Sequence, residues 1–279
     1  MREPTIQRAI KYICLIILMI FTLFPFLWLI NTTFKTNEAM FASIPTWWIE
    51  DITFEHYTWA FSGKGIELFG LLKNSIIVCF ITALTTALVA SVSGYGLARY
   101  VVPGMSFIVA LLVLGQMIQG PLIMIPWYKF ASAFSLLDSK TALVLIYNTM
   151  TIPVGVWIMS GFFKVIPKEL EEAAYIDGAS KLRTLFGVML PMAIPGLVAI
   201  SLYSFILGWN DYQYSLILTS TLDSKTVQVG IAELMGSLGS QNWGGLMASG
   251  VIAIIPIIVL FSLIQKFLIE GLTAGGIKG

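Results

Sequence analysis

Pro167-Lys168-Glu169-Leu170-Glu171-Glu172-Ala173-Ala174-Tyr175-Ile176-Asp177-Gly178-Ala179-Ser180 opens a charged, small-residue insert that runs on to Leu190-Pro191. It stands between two long apolar stretches, Thr141–Phe163 and Ala193–Leu218. That contrast decides the fold class: runs apolar enough to lie in lipid, interrupted by an ordered segment that must lie in water. Of 279 residues, 57% are hydrophobic and 11% charged, whereas soluble domains carry roughly a quarter charged residues.

About 20 apolar residues cross a bilayer core as a helix. Six stretches qualify: Tyr12–Asn31, Asn74–Leu97, Ser106–Ile125, Thr141–Phe163, Ala193–Leu218 and Leu246–Phe267. They predict an all-α polytopic membrane protein with six transmembrane helices. One membrane domain over 12–267 is the simplest division, with an N-terminal segment 1–11 and a C-terminal tail 268–279. The first run is too long for a secretory signal, and Trp28-Leu29-Ile30-Asn31-Thr32-Thr33 is the wrong chemistry for a cleavage site, so it reads as a retained helix. Ala87, Ala90, Ser91, Ser93, Gly94 and Gly96 give the second span a small-residue cluster that plain bundle packing explains.

Composition also excludes. The net charge of +1 comes with no basic patch interleaved with aromatics, so nucleic acid is set aside. Cys14 and Cys79 sit in apolar runs and read as packing residues. His56 falls in a polar loop without Cys or His company, so no metal site is expected.

Lys and Arg placement orients the chain. With the N-terminus in the cytoplasm, the inner set is Arg2, Arg8, Lys11, Arg99, Lys164, Lys168, Lys181, Arg183, Lys266 and Lys278. The outer set is Lys35, Lys64, Lys73, Lys129, Lys140 and Lys225, spread over longer loops. Both termini and the 167–191 insert are therefore expected inside. Thr32–Lys73, Trp127–Lys140 and Thr219–Gly245 are the outer loops.

Within the insert, Pro167 suits a first helical turn. Glu169, Glu171 and Glu172 meet the positive end of the helix dipole. Gly178 can end or sharply turn the helix, and Ser180 can cap a second one over Lys181–Leu190. The physical reading is a helix, a turn and a helix outside the membrane. It is either an ordinary amphipathic connector or an element docked in a partner's cleft.

Glu172-Ala173-Ala174, three residues, Gly178, nine residues, then Val188-Met189-Leu190-Pro191 resembles the EAA loop of ABC importer permeases. Val188 replaces the usual Ile. The loop also lies between the fourth and fifth spans, as in that family. The chain is similar to the carbohydrate-uptake branch, of the maltose-importer type, over nearly its whole length. The resemblance implies that Glu172, Ala173, Ala174, Asp177, Gly178, Leu190 and Pro191 couple to an ATPase. It implies that Gly275, Gly276 and Lys278 of the tail reach the ATPase pair, and that Gln241, Asn242 and Trp243 touch an external solute-binding protein. It further implies two ATPase subunits carrying ATP and Mg, and a second permease subunit, with a heterodimer favoured.

No Gly-rich phosphate loop occurs; Gly63-Lys64-Gly65 lacks the hydroxyl needed near Mg²⁺. No catalytic residue, cofactor or metal is assigned to this chain. Polar groups at membrane depth usually face a cavity or another helix. Gln116 and Gln119 beside Gly120-Pro121, Asn148 before Pro153, and Trp209, Asn210, Asp211 and Tyr212 are the candidates for lining a pathway. Aromatic faces with amides and a carboxylate suit a polyhydroxylated solute. The same groups also fit helix bridges, interfacial anchors or a wet outer mouth. The rival functions are a glycerol-phosphate or polyol importer of the same family, and a stand-alone ion-coupled carrier. The carrier would favour buried charged pairs, for which Asp211 is the single candidate.

Overall fold

The computed structural model describes residues 5–63, 65–100, 103–118, 120–237 and 242–276. Among them every regular element is helical. In chain order these are α1 (Thr5–Thr33), α2 (Asn37–Met40), α3 (Glu55–Phe61), α4 (Leu68–Arg99), α5 (Met105–Gln116), α6 (Gly120–Ala133) and α7 (Lys140–Val165). Then follow α8 (Glu169–Ile176), α9 (Lys181–Thr184), a π-helical turn (Leu185–Met189), α10 (Leu190–Met192), α11 (Ile194–Asn210), α12 (Gln213–Leu218), α13 (Val227–Ser237) and α14 (Trp243–Gly276). Helices α1, α4, α7 and α14 are each long and apolar enough to cross a membrane. The broken pairs α5 with α6, and α9–α10 with α11, raise the number of candidate spans to six. The protein is thus all-α and polytopic.

The breaks have local causes. Pro121 has no N–H to bond back to the carbonyl of Met117, so a helix cannot run through it, yet it suits a first turn; α5 stops at Gln116 and α6 starts afresh at Gly120, with the two axes 101° apart. The expected outer loop Trp127–Lys140 is therefore helical as far as Ala133. Its sequence is largely apolar between Lys129 and Asp138, and Ala131 is fully packed. The outer stretches Thr32–Lys73 and Thr219–Gly245 likewise contain short helices, α2 and α3 in one and α13 in the other. The expected single fifth span ends at Asn210 and resumes as α12, because Asp211 leaves the helical region (φ −72°, ψ 127°).

The chain packs as two compact units. The first comprises Met1–Leu68 with Ile231–Ile255. In it, Trp47 stacks near Trp28 and Phe24 (centroids 5.5 and 5.9 Å), while Lys35 sits 4.9 Å over the Trp28 ring and donates to the Thr46 carbonyl. His56, expected in a loop, lies in α3 and is buried, its Nε2 2.9 Å from the Lys35 carbonyl. A burial of this kind leaves no mark in composition. The start of α14 closes on this ring: a Cβ at Gly244 would stand 2.1 Å from His56, and one at Gly245 2.2 Å from Trp59. Gly244→Ala should therefore cost about 1–3 kcal/mol by overpacking. In the double variant with His56→Ala, the two penalties should add to less than their sum, as thermal unfolding would report.

The second unit comprises Phe69–Gly230 with Pro256–Gly279. Its centre is the crossing of α4, α7 and α11, where glycines admit close backbones. A Cβ at Gly94 would meet Met159 at 2.7 Å, one at Gly155 would meet Ile200 at 2.8 Å and Ala90 at 2.9 Å, and one at Gly196 would meet the Phe162 ring at 2.5 Å. Of the small cluster read in the second span, Ala87, Ala90, Ser91 and Gly94 turn inward, at helical spacing. Ser93 is exposed and Gly96 faces open space.

Candidate functional site: a helical hairpin and a cleft

The insert folds as a hairpin of short helices. Three carboxylates, Glu169, Glu171 and Glu172, occupy the first turn of α8, where the dipole favours negative charge. At the other end Gly178 adopts φ +79°. The Gly178 N–H donates to the Tyr175 carbonyl (3.0 Å) and the Ala179 N–H to the Ala174 carbonyl (2.9 Å). Those two bonds define a Schellman stop, which requires a left-handed residue at this position. The Ser180 hydroxyl then accepts from the Arg183 N–H (3.4 Å) and starts α9. The second helix does not stay α-helical to Leu190: a π turn at Leu185–Met189 precedes the short α10 around Pro191.

Of the residues assigned to coupling, Glu172, Ala173, Asp177, Gly178 and Pro191 are exposed, and Ala174 and Leu190 half-buried. Ile176 is 87% exposed at the tip. The hairpin thus offers an open face of small and acidic groups.

Its opposite face holds residues with no site role assigned from sequence: Glu171 reads there only as a dipole-facing carboxylate and Arg99 only as an inner cation. Glu171 is buried, with its Oε2 2.8 Å from Arg99 Nε at the end of α4. The Tyr95 hydroxyl donates to Glu171 Oε1, and the Tyr175 hydroxyl donates to the same oxygen at 2.8 Å. Arg99 Nη2 also donates to the Ile166 carbonyl (2.8 Å). Burial, and the Glu171 carboxylate beside it, push the Tyr175 phenol up to about 12, so it is a donor at every physiological pH. Removing one partner of a buried ion pair costs roughly 3–5 kcal/mol, since the other charge is stranded. Glu169, Glu171 and Glu172 look alike in the sequence; Arg99 and Tyr95, far upstream, distinguish the middle one.

The pathway candidates converge only in part. A cavity of about 540 Å³ between α5, α6, α7 and α11 is lined by Gln116, Trp127, Thr149, Pro153 and Tyr203, among others. It shares Met150, Tyr203 and Leu207 with a cleft of about 450 Å³ that reaches Asn210 and Asp211. Pro153 cannot donate to the Thr149 carbonyl four residues earlier; the Gln116 amide points at that carbonyl from 3.4 Å. Asn148 sits to one side. Its Oδ1 accepts from Thr85 (3.0 Å) and Thr86 (2.9 Å), bridging α7 to α4. Trp209 is buried and stacks on Phe205 at 5.5 Å. Asp211 Oδ2 accepts from the Tyr147 hydroxyl (2.7 Å) and the Ser215 N–H (3.0 Å), which fixes the start of α12. Tyr212 is exposed. Tyr203, a cleft residue, stands in the sequence beside Ser201 and Ser204 with no amide or charge near it to draw notice. Gln119 lies outside the described residues.

Two loops are clamped together nearby. Asp138 Oδ1 accepts from the Ser220 N–H (2.8 Å), the Thr221 N–H (2.9 Å) and the Ser224 hydroxyl. The Ser224 bond first, then the two amides, holds the Asp138 carboxyl well below the usual carboxylate range. Because the folded value is the lower one, this clamp is at full strength above the ordinary carboxylate pKa of about 4 and weakens as pH falls through the folded value. In Asp138→Ala at neutral pH, amide exchange at Ser220 and Thr221 should accelerate about tenfold. In the native protein that acceleration should appear only in acid, after correction for intrinsic rates.

Asn242 caps α14, its Oδ1 accepting from the Gly245 N–H at 2.8 Å, and Trp243 is half-buried. Gly275 and Gly276 end α14, whereas Gln241 and Lys278 lie outside the described residues.

Apolar, broken helices, a largely apolar cleft edged by Gln116, Thr149, Asn210 and Asp211, and an exposed short-helix hairpin are the parts of a membrane permease. The chain belongs to the family described as binding-protein-dependent transport system inner membrane component, whose profile matches residues 100–273. It is 34% identical to the trehalose/maltose transport system permease protein MalG of Thermococcus litoralis, over 100% of both chains. It is 30% identical, again over 100% of both chains, to the diacetylchitobiose uptake system permease protein DasC of Streptomyces coelicolor. In structure it matches a chain of a bacterial ABC transporter involved in the import of the acidic polysaccharide alginate, with a TM-score of 0.79, 22% identity and coverage of 95% and 98% of the two chains.

Proposed function

We propose that this chain is a permease subunit of an ATP-driven importer of neutral sugars, fed by an extracellular solute-binding protein. It forms the pathway with a second permease and takes its driving force from two ATPase subunits seated on the α8–α9 hairpin. The single observation that carries this is the hairpin itself: Glu172, Ala173 and Gly178 stand exposed with Ala174 half-buried beside them, and the helix is ended by a left-handed glycine. The full-length relatives named for trehalose, maltose and diacetylchitobiose support a sugar cargo. The cleft fits that cargo, since Tyr203 and Trp127 supply ring faces while Gln116 and Asn210 supply amides. The excess of Lys and Arg on one side supports a cytoplasmic position for both termini and the hairpin. Nucleotide-driven closure of the ATPase pair would then bias which of two membrane arrangements is populated.

The test is reconstitution. Co-expression with candidate second-permease and ATPase subunits should yield a complex with bound ATPase. In liposomes it should accumulate radiolabelled maltose or trehalose only with ATP and the loaded binding protein. Uptake by this chain alone under an ion gradient would overturn the proposal.

A further inference from the structure

The hairpin has one face open and one face tied, and the tie is chemically unlike the surrounding packing. Arg99 gathers three pieces of backbone at one guanidinium: its own helix α4, the end of α7 through the Ile166 carbonyl, and α8 through Glu171. The Arg99 and Glu171 side chains are 5% and 10% exposed. Tyr95 and Tyr175 close both sides of the carboxylate, and Tyr95 itself packs edge-on against Phe163 at 5.6 Å. Lys181 of α9 lies 4.8 Å over the Tyr100 ring, adding the second arm of the hairpin to the same end of α4. Apolar contacts between helices can slide by fractions of a turn. A buried ion pair resists sliding, because separation strands both charges. Further along, α4 is hydrogen-bonded through Thr85 and Thr86 to Asn148, adjacent to the cleft residues Thr149 and Met150.

We infer that Arg99 and Glu171, steadied by Tyr95 and Tyr175, are positioning residues that make the hairpin and the end of α4 move as one rigid piece. They carry displacement of the hairpin to the cleft along α4 rather than only through the continuous chain into α11. This rests on the importer reading above and adds the route by which that reading would work. No residue of the exposed docking face takes part in it.

The experiment uses the whole complex with ATP as the probe. In a Cys14→Ser background, spin labels are placed at Val92 of α4, Phe186 of the π turn and Leu216 of α12, all exposed. Adding ATP with vanadate should leave the Val92–Phe186 distance unchanged, while the Leu216–Phe186 distance shifts by several ångströms, on the scale of about 2–5 Å. In Glu171→Gln, ATPase subunits should still co-purify, because the open face is untouched, yet the Val92–Phe186 distance should now change with nucleotide. Tyr95→Phe, which removes a single donor, should give a smaller change of the same kind. It decides the matter if Glu171→Gln does not assemble. A native Val92–Phe186 distance that shifts with ATP would overturn the inference, as would assembled variants with native distances. A native complex without bound ATPase would instead bring down the importer reading and this route with it.

Discussion

Gly178→Asp is expected to abolish ATP-dependent uptake while leaving the chain folded. Position 178 has φ +79° and nothing within 4 Å of a notional Cβ. Aspartate tolerates the left-handed region better than most residues, so the Schellman stop should persist and α8 and α9 with it. What changes is the exposed turn between them, which gains bulk and a second carboxylate beside Asp177. A partner surface fitted to a glycine there would lose the close approach and face a new buried charge. A loss of about 2.7 kcal/mol, roughly 100-fold in affinity, is the expected scale. Gly178→Ala separates the two contributions: it adds backbone strain of about 1–2 kcal/mol and little bulk, and should retain partial uptake. The stoichiometry of co-purified ATPase and uptake into vesicles read both. Native uptake by Gly178→Asp would mean that the turn touches no partner.

Gly155→Leu should act in the opposite way, destroying the unit rather than its docking. Gly155 is where α7 meets both neighbours, with Ile200 of α11 and Ala90 of α4 already inside ordinary contact distance of a Cβ. Even Gly155→Ala forces one helix outward, at about 1–3 kcal/mol. Leucine adds three further carbons in a place that has no slack, and the penalty should exceed about 3 kcal/mol. Gly161→Leu, on the same helix but facing open space, is the control. It should be near neutral, since leucine is the better helix former. Thermal unfolding in detergent and the monodisperse fraction should separate the two variants clearly. Equal stability of the two would show that the α7–α11 crossing carries little of the fold.

The spans were legible because lipid imposes a length and a composition that few other structures share. The hairpin was legible because its turn needs a glycine and its second helix a hydroxyl cap. What stayed hidden depends on distant partners. Glu171 differs from Glu169 and Glu172 only through Arg99 and Tyr95, which come from another helix. Asn148 reads as a pathway amide until Thr85 and Thr86 claim its oxygen. Gln116 stands beside the cleft, but its amide also answers the carbonyl left bare by Pro153. His56 looks solitary in one dimension and is enclosed in three. The sharp redirection after Gln116 was foreshadowed by Gly120-Pro121, though not its size.

The π turn at Leu185–Met189 has a consequence for phase. Each residue of an α-helix advances the side chains by about 100°, and a π turn holds one residue more than its α counterpart. Everything downstream, Leu190 and Pro191 first, is therefore rotated by about that angle relative to Lys181 and Arg183. Deleting one residue from this turn would leave sequence spacing nearly intact but swing the two ends out of azimuthal alignment, so the segment works as a fixed angular offset between the water-facing arm and the helix that follows.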